Sequence, residues 1–337
     1  MSYEKPGLAS KHFDDLFNSL PSLEGKTIII TGTTSGTGFV AANACGKLGA
    51  KLLLLNRPSA RADAALKTLQ ENNSNGDFTH IDCDLQSFAS VKKAAEEVRA
   101  MCPNGLDVLC NNAGVMALED YATEDGFDVQ MQTNHLSHFL LTKLTFDLLE
   151  KAADTKGEAR VINHSSIARK QVKELEADYL LKNGGNLGGN GASMFFGGAR
   201  WIRYGQTKLA NATFTACLHD KLTAKNSKVK ALVAHPGLAE TELQSTTVDE
   251  GGMGKWMTKQ LMKMGQSRED GALGILTCIA HPNVQSGQFF GPGMGGMFTA
   301  LKGPAAGYPL EASYDNPQTR DLLWRHSCAA IDADFDI

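Results

Sequence analysis

Tyr204 and Lys208 stand four residues apart in the run Tyr204-Gly205-Gln206-Thr207-Lys208, and residues at that spacing share one face of a helix. An ammonium beside a phenol favours its ionised form, so this pair can exchange a proton with a reacting oxygen. A second run, Thr31-Gly32-Thr33-Thr34-Ser35-Gly36-Thr37-Gly38, follows an apolar stretch and opens a helical pattern. Glycines there let the backbone turn tightly and approach a pyrophosphate, whose charge meets the unpaired N–H groups of a helix N-terminus. Together the two runs read as a nucleotide cradle and a proton-transfer pair.

Three strand ends add to the cradle. The second apolar run ends at Asn56-Arg57, where a fold that binds NAD offers a carboxylate to the ribose hydroxyls. Arginine instead presents a forked cation matched to a phosphate. NADP(H) is therefore the expected cofactor rather than NAD, with Thr33, Thr34 or Asn56 supplying neutral donors. Asp84, after the third run, is placed to accept from the adenine amine; Asp82 competes for that role, and either residue can instead cap the helix after Gln86. Asn111-Asn112-Ala113-Gly114 closes the fourth run, where amide side chains can tie strand ends and Gly114 lets the cofactor approach.

These groups need a sheet whose strand ends converge. The chain has 337 residues, 42% of them hydrophobic, which suits one large α/β domain. Strand candidates at 26–31, 51–56, 78–82, 106–110, 159–164, 228–234 and 286–290 alternate with helical patterns at 36–48, 59–73, 87–101, 122–150, 200–223 and 268–280. Strands that are apolar throughout need cover on both faces, which predicts a doubly wound parallel α/β sheet of about seven strands with helices on each side. An N-terminal arm, 1–23, helical near 8–20, precedes the main domain at 24–300; a tail, 301–337, carries a helix at 317–329.

Two stretches break the alternation. Residues 167–203 form a glycine-rich excursion with apolar Met194, Phe195, Phe196 and Trp201, after a short charged helix near 170–181. Residues 238–266 carry Met253, Trp256, Met257, Leu261, Met262 and Met264, and read either as a flap over a lipophilic ligand or as a helical hairpin packed on the core. Lys170, Arg200 and Arg203 leave room for an acidic substrate group at the mouth. Gly291-Pro292-Gly293-Met294-Gly295-Gly296 either forms a second lid edge or routes the chain to the tail.

Other chemistries are set aside. The net charge of −4 and the absence of a basic stripe argue against nucleic acid. His135 and His138 lack a nearby carboxylate or cysteine set, so no metal is expected; His164 reads as a core histidine. The seven scattered cysteines, without a C-x-x-C pair, suit the cytoplasm or another reducing intracellular compartment. The apolar runs are strand-length, and the first twenty-five residues mix Glu4, Lys5, Lys11, Asp14 and Asp15 with isolated apolar positions, so no transmembrane segment or signal peptide is expected.

The order Thr31-Gly32-x-x-x-Gly36-x-Gly38, Asp84-Leu85, Asn111-Asn112-Ala113-Gly114, Asn134, Ser165-Ser166, Tyr204-x-x-x-Lys208 and Pro236-Gly237 with Thr241 resembles the short-chain dehydrogenase/reductase family over residues 24–290. Thr133-Asn134-His135-Leu136-Ser137-His138, His235-Pro236-Gly237 and Leu323-Trp324-Arg325-His326-Ser327 are most similar to its retinol-dehydrogenase-like and protochlorophyllide-reductase-like group. The resemblance implies a Rossmann-type fold and a tetrad of Asn134, Ser166, Tyr204 and Lys208. Tyr204 would act as general acid/base, and Ser166, the second serine of the pair, would orient the substrate oxygen. Asn134 would hold a water that reloads Lys208. Leu85, Ala113, Pro236, Gly237 and Thr241 would join the cofactor site. The chain departs from the family pattern in the 37 residues between Ser166 and Tyr204, and at Thr34, where many NADP-dependent members carry a basic residue.

The expected activity is NADP(H)-dependent hydride transfer on a lipophilic carbonyl or secondary alcohol. Reduction of a carbon–carbon double bond in a large cyclic substrate is the alternative chemistry. A sensor or scaffold that binds NADP(H) without turnover is the alternative class. A homodimer sharing the helices near 122–150 and 200–223 is expected.

Overall fold

Ile28, Ile29 and Ile30 are fully buried in the first strand, and Leu52 and Leu53 in the second, so helices must cover both faces of the sheet. The computed structural model describes residues 7–192, 197–293 and 299–337. In chain order its elements are α1 (Phe13–Ser19), β1 (Thr27–Thr31), α2 (Gly36–Lys47), β2 (Lys51–Asn56), α3 (Ala60–Asn72), β3 (Asp77–Asp82), α4 (Phe88–Met101), β4 (Val108–Asn111), α5 (Val129–Met131), α6 (Ser137–Lys156), β5 (Ala159–His164), α7 (Ala199–Ala224), β6 (Val229–Ala234), α8 (Glu242–Asp249), α9 (Lys255–Met262), α10 (Arg268–Gly271), α11 (Leu273–Ala280), β7 (Phe289–Pro292), β8 (Ala305–Tyr308) and α12 (Pro317–Ala330). Glu4, Lys5, Met194, Phe195, Phe196, Met294, Gly295 and Gly296, which entered the sequence reading, lie outside the described residues.

The strand order is β3-β2-β1-β4-β5-β6-β7-β8, parallel from β3 to β7. Alternation along the strands sorts side chains into two cores. Ile29 and Leu53 share one core with residues of α4, α6 and α7; Ile28, Ile30, Leu52 and Leu54 share the other with residues of α2 and α11, against which α1 packs. β1 pairs with both β2 and β4, so connections leave it in opposite directions. That opens a crevice at the carboxyl ends of these two strands, where such sheets bind ligands.

Several element bounds differ from the sequence reading, each for a local reason. The helix expected over 122–150 starts at Val129, because the Asp128 side chain accepts from the N–H groups of Gln130 and Met131 and caps it. It then passes through a π turn at Gln132–Leu136 before α6 continues to Lys156. The charged helix expected near 170–181 is two 3-10 turns, Ile167–Gln171 and Ala177–Leu180. The helix at 268–280 is divided between α10 and α11. β8 is an eighth strand, antiparallel to β7 and beyond residue 300; its sequence, Ala-Ala-Gly-Tyr, has no apolar run to announce it.

Both ends of the chain pack on this frame. Gly7 and Leu8 donate their N–H groups to the Glu240 carboxylate at 3.0 and 2.9 Å. Ser10 Oγ and the N–H groups of Lys11 and His12 donate to Asp270 at 2.8, 2.9 and 2.9 Å. The tail lays Trp324 and Phe335 against Phe139 of α6, with Trp324 also on Phe214 of α7 and Phe335 on Phe146. The chain's own α12 and terminal segment thus cover this aromatic face of α6 and α7.

Candidate active site

The glycine loop turns at the end of β1 in close contact with the end of β4. Gly32 has φ +72°, and a Cβ there would stand 2.8 Å from Ala113 Cα. A Cβ on Gly38 would collide with the Gly32 carbonyl and the Asn112 amide. Ser35 precedes α2 in an extended conformation without a side-chain cap, so the first N–H groups of the helix remain available to an anion. Asn112 Nδ2 donates to the Thr31 and Gly32 carbonyls at 2.8 and 3.1 Å, and Asn112 Oδ1 accepts from Thr37 Oγ1 at 3.2 Å. The strand-end amides thus tie the loop, as their types suggest, and Asn111 Nδ2 links to Asn163 Oδ1 on β5.

Asn56 is placed differently from a ligand-facing donor. Its Oδ1 accepts from Thr33 N at 2.7 Å, and its Nδ2 donates to Thr33 Oγ1 at 2.9 Å. Both residues are buried and hydrogen-bonded to each other. Arg57 is exposed; its carbonyl accepts from Ser59 Oγ at 3.4 Å, while its guanidinium makes no hydrogen bond or ion pair among the described residues. A second guanidinium, missed in the sequence, joins it: Arg61, in the first turn of α3, donates from Nη2 to Thr34 Oγ1 at 3.0 Å. Thr34 therefore has a cation beside it, supplied from the neighbouring helix. The available signal was that an arginine four residues after Arg57, just inside a helix, returns to the same end of the sheet.

Asp84 Oδ1 accepts from Gln86 N at 2.9 Å, while Ser87 caps α4 and Asp82 is exposed. Leu85 is buried, and its carbonyl accepts from Ser137 Oγ at 2.7 Å. Thr241 lies against the start of α2, where a Cβ on Gly36 would be 3.2 Å from Thr241 Cβ. Its hydroxyl is engaged with Gln244 in a capping box for α8. Pro236 O accepts from Gln266 Nε2 at 2.8 Å, and Gly237 N donates to His235 Nδ1 at 3.1 Å, fixing the turn after β6.

Ser166, Tyr204 and Lys208 converge beyond β5. The Ser166 hydroxyl hydrogen-bonds the Tyr204 phenol. Ser165 Oγ donates to the Lys208 carbonyl at 2.7 Å, so the two serines have separate jobs: one holds α7 and the other meets Tyr204. Lys208 Nζ lies 5.6 Å from the centroid of the Tyr204 ring and donates to the His164 carbonyl at 3.0 Å. A Cβ on Gly114 would stand 3.0 Å from Asn134 Oδ1 and 3.3 Å from Lys208 Nζ, which brings the fourth strand end to the same spot. Burial pushes the Tyr204 phenol up to about 12, with the Ser166 hydrogen bond opposing it, and lowers Lys208 to about 7. In this environment desolvation of Tyr204 outweighs any favour the ammonium gives its phenolate.

Asn134 sits in the π turn with its side chain committed on three sides. Oδ1 accepts from Val115 N at 2.8 Å, and Nδ2 donates to Val115 O and Thr207 Oγ1, both at 2.9 Å. Its carbonyl lies 3.1 Å from His138 Nδ1, whose Nε2 is 2.9 Å from Thr31 Oγ1. Thr31 Oγ1 already accepts from the N–H groups of Asn112 and Ala113, so its proton goes to His138 Nε2, and Nδ1–H goes to Asn134. His138, set aside above as a metal ligand, is thereby a positioning residue between the glycine loop and the π turn. No group of three metal-ligating side chains occurs among the described residues.

An apolar wall faces Tyr204. Trp201, Ala117, Ala168, Val248 and Met253 form a buried cluster with it, joined by Met116 and Met257, and Trp201 Nε1 donates to Gly252 O at 3.0 Å. The 238–266 segment thus reaches the catalytic layer. Of the three cations reserved for an acidic substrate group, Arg200 and Arg203 are buried, which corrects the expectation for these two, while Lys170 is exposed. Arg203 is fully buried, donates to the carbonyls of Leu118, Leu187 and Gly189, and pairs with Asp128 at 3.3 Å. Arg200 holds the Asn190 and Glu250 carbonyls, and Lys170 pairs with Glu311 at 3.2 Å. A cavity of about 140 Å³ lined by Leu23, Ile28, Val108 and Arg160 lies at the opposite strand ends, away from all of these groups.

A family model described as short chain dehydrogenase matches residues 26–180. The short-chain dehydrogenase/reductase drtF of Aspergillus calidoustus is 30% identical over 82% of this chain and 87% of its own length. Human polyprenol dehydrogenase is 28% identical over 91% of this chain and 86% of its own length. Human retinol dehydrogenase 13 is 34% identical over 67% of this chain, and the chain spans 62% of that protein's length. Among solved structures, an uncharacterized protein from Mycobacterium paratuberculosis superposes with a TM-score of 0.72 at 28% identity, covering 95% of this chain and 98% of that one.

Proposed function

The chain belongs to the short-chain dehydrogenase/reductase family of oxidoreductases, and from that premise we propose that it moves a hydride between NADP(H) and a lipophilic carbonyl or secondary alcohol. The observation that carries the reading is the buried Tyr204–Lys208 pair, with Ser166 beside the phenol, next to a glycine cradle. A Cβ at Gly32 would strike Ala113, and one at Gly38 would strike the Gly32 carbonyl and Asn112, so this turn requires glycine; it leaves the first N–H groups of α2 open to a pyrophosphate. Arg57 and Arg61 would hold the 2′-phosphate, and the Asp84 carboxylate the adenine. When bound, the dinucleotide supplies or accepts the hydride.

The chain's own groups handle the proton. Negative charge develops on the carbonyl oxygen during reduction, and a positioned donor stabilises it. Tyr204 Oη gives its proton to that oxygen while Ser166 Oγ–H hydrogen-bonds it. A phenol pushed up to about 12 stays protonated near neutrality, which suits the donor role in the reductive direction. Lys208 Nζ, held by the His164 carbonyl, returns a proton to the phenol. The wall of Trp201, Val248 and Met253 excludes water and favours an apolar substrate. The names of the polyprenol and retinol relatives agree with a lipophilic alcohol or carbonyl, as does the likeness of residues 133–142 to the retinol-dehydrogenase-like group.

The test is a panel of ketones, aldehydes and alcohols with both cofactors, run on the wild type and on Tyr204→Phe. The variant is expected to lose at least about a hundredfold in turnover, on the scale of general-acid catalysis, while keeping its NADPH affinity. A variant retaining more than about a tenth of wild-type turnover would defeat the assignment of Tyr204. Tight cofactor binding without turnover on any member of the panel would favour a sensor instead.

A further inference from the structure

The 238–266 segment has two unlike faces. Inward, Thr258 and Met262 are fully buried, and Met257 joins Met253 and Val248 in the cluster around Tyr204. Outward, Trp256 is 76% exposed, more than any other large apolar side chain among the described residues, and Met264 is 53% exposed. Lys255, Lys259 and Lys263 are exposed on the same stretch. No Asp or Glu occurs from Gly251 to Ser267, so this stretch carries three positive charges in a chain of net charge −4.

An indole left in water costs free energy unless something covers it. Tryptophan favours the headgroup level of a bilayer, where its apolar body and its N–H are both accommodated. Lysines on flexible stems beside it suit a diffuse sheet of negative charge. Lys255 and Lys259 lie one turn apart on α9, with Trp256 next to them, so a single surface can meet all three.

We propose that the outward face of α9, with Lys263 and Met264 after it, docks on an anionic lipid surface. Trp256 enters the headgroup layer, and Lys255, Lys259 and Lys263 meet lipid phosphates. The docked face backs directly onto the wall beside Tyr204, so the segment would stand between a membrane and the reaction site. Delivery of a lipophilic substrate by this route rests on the function proposed above; the docking itself does not.

The experiment is co-sedimentation of the full chain with phosphatidylcholine vesicles, with and without phosphatidylserine. Quenching of tryptophan fluorescence by brominated lipid is the second readout. Binding is expected only to the anionic vesicles, falling roughly fivefold for each lysine removed and falling as salt is raised. Lys259→Glu with Lys263→Glu should abolish it, and Trp256→Phe should remove the quenching, since Trp201 is buried and Trp324 is packed against Phe139, Phe214 and Phe335. All three positions are exposed, so an unchanged thermal midpoint is the folding control. No sedimentation with anionic vesicles, equal binding to neutral ones, or binding indifferent to these substitutions would overturn the proposal. So would vesicle-independent self-association, by light scattering, that these substitutions abolish, because it would make a second copy the occupant of this face. Neither readout needs turnover, so failure here leaves the hydride-transfer reading standing.

Discussion

At the scale of single residues, the cofactor phosphate and the proton-transfer pair carry the sharpest consequences. Arg57→Ala and Arg61→Ala should each weaken NADPH binding roughly ten- to hundredfold, on the scale of a charge-assisted contact, while NADH binding barely changes. Calorimetric titration of both cofactors checks this, and an equal loss for the two would remove these arginines from the 2′-phosphate. Lys208 titrates at about 7 in its buried setting. Its ammonium is present below that value and lost above it, so the rate of reduction should fall as pH rises through about 7. Arginine stays charged throughout, so a pH–rate profile of Lys208→Arg should lack the inflection; an unchanged inflection would assign it to another group. The proton-transfer pair was legible because a four-residue spacing survives in any helix. Arg61 was not, because its partner Thr34 is 27 residues away and only the β1–β2 pairing brings them together. The second guanidinium also changes the weight of Thr34, whose neutral side chain read as evidence against NADP.

At the scale of elements, the excursion after Ser166 is fastened by charge rather than by apolar packing alone. Asp120 Oδ2 accepts from the N–H groups of Leu187 and Gly189, while Arg203 holds the carbonyls of the same two residues. Excising 184–191 would strip the fully buried Arg203 of two of its carbonyl partners. A hydrogen bond to a buried charged group is worth about 1.5–3 kcal/mol, so the excised protein should show a clearly lowered thermal midpoint by calorimetry. A midpoint near wild type would show that the loop is dispensable to the fold. The parallel strands were legible as continuous apolar runs, whereas the cap of α4 is Ser87 rather than either aspartate weighed for it. The start of the long helix at Val129 depended on which acid turned its carboxylate inward, a tertiary fact. Arg200 and Arg203 misled for a related reason: a cation on a helix near a glycine-rich loop looks the same whether it awaits a ligand or serves the loop's carbonyls.

At the scale of the whole molecule, four buried histidines set an acid limit. Burial lowers His135 to about 3, His138 to about 4 and His164 to about 3, and His235 falls well below its ordinary value. In the unfolded chain these rings titrate near 6.5, so between that value and their folded values the unfolded state binds more protons. The stability they contribute is therefore present above about 6.5 and lost as pH falls toward 3 or 4. Thermal midpoints recorded from pH 8 to 4 should begin to drop below about 6.5, before most carboxylates titrate, with Asp128, pushed up to about 6 by burial, offsetting part of the loss; a flat profile down to about 4.5 would contradict it. The covering of α6 and α7 by α12 is a whole-chain property that no local window displays. The fold and the glycine turn were thus readable from local runs, whereas the apolar wall at Tyr204, to which Ala168, Trp201, Val248 and Met253 contribute, depends on how distant stretches meet. The central claim is that this meeting place is a hydride-transfer site for a carbonyl. Its most direct measurement is turnover of a carbonyl substrate with NADPH deuterated at the nicotinamide C4, followed by mass and NMR analysis of the product. The account predicts deuterium on the carbinol carbon, in wild type and not in Tyr204→Phe; deuterium on a saturated former alkene carbon, or a label that never leaves the cofactor, would contradict it.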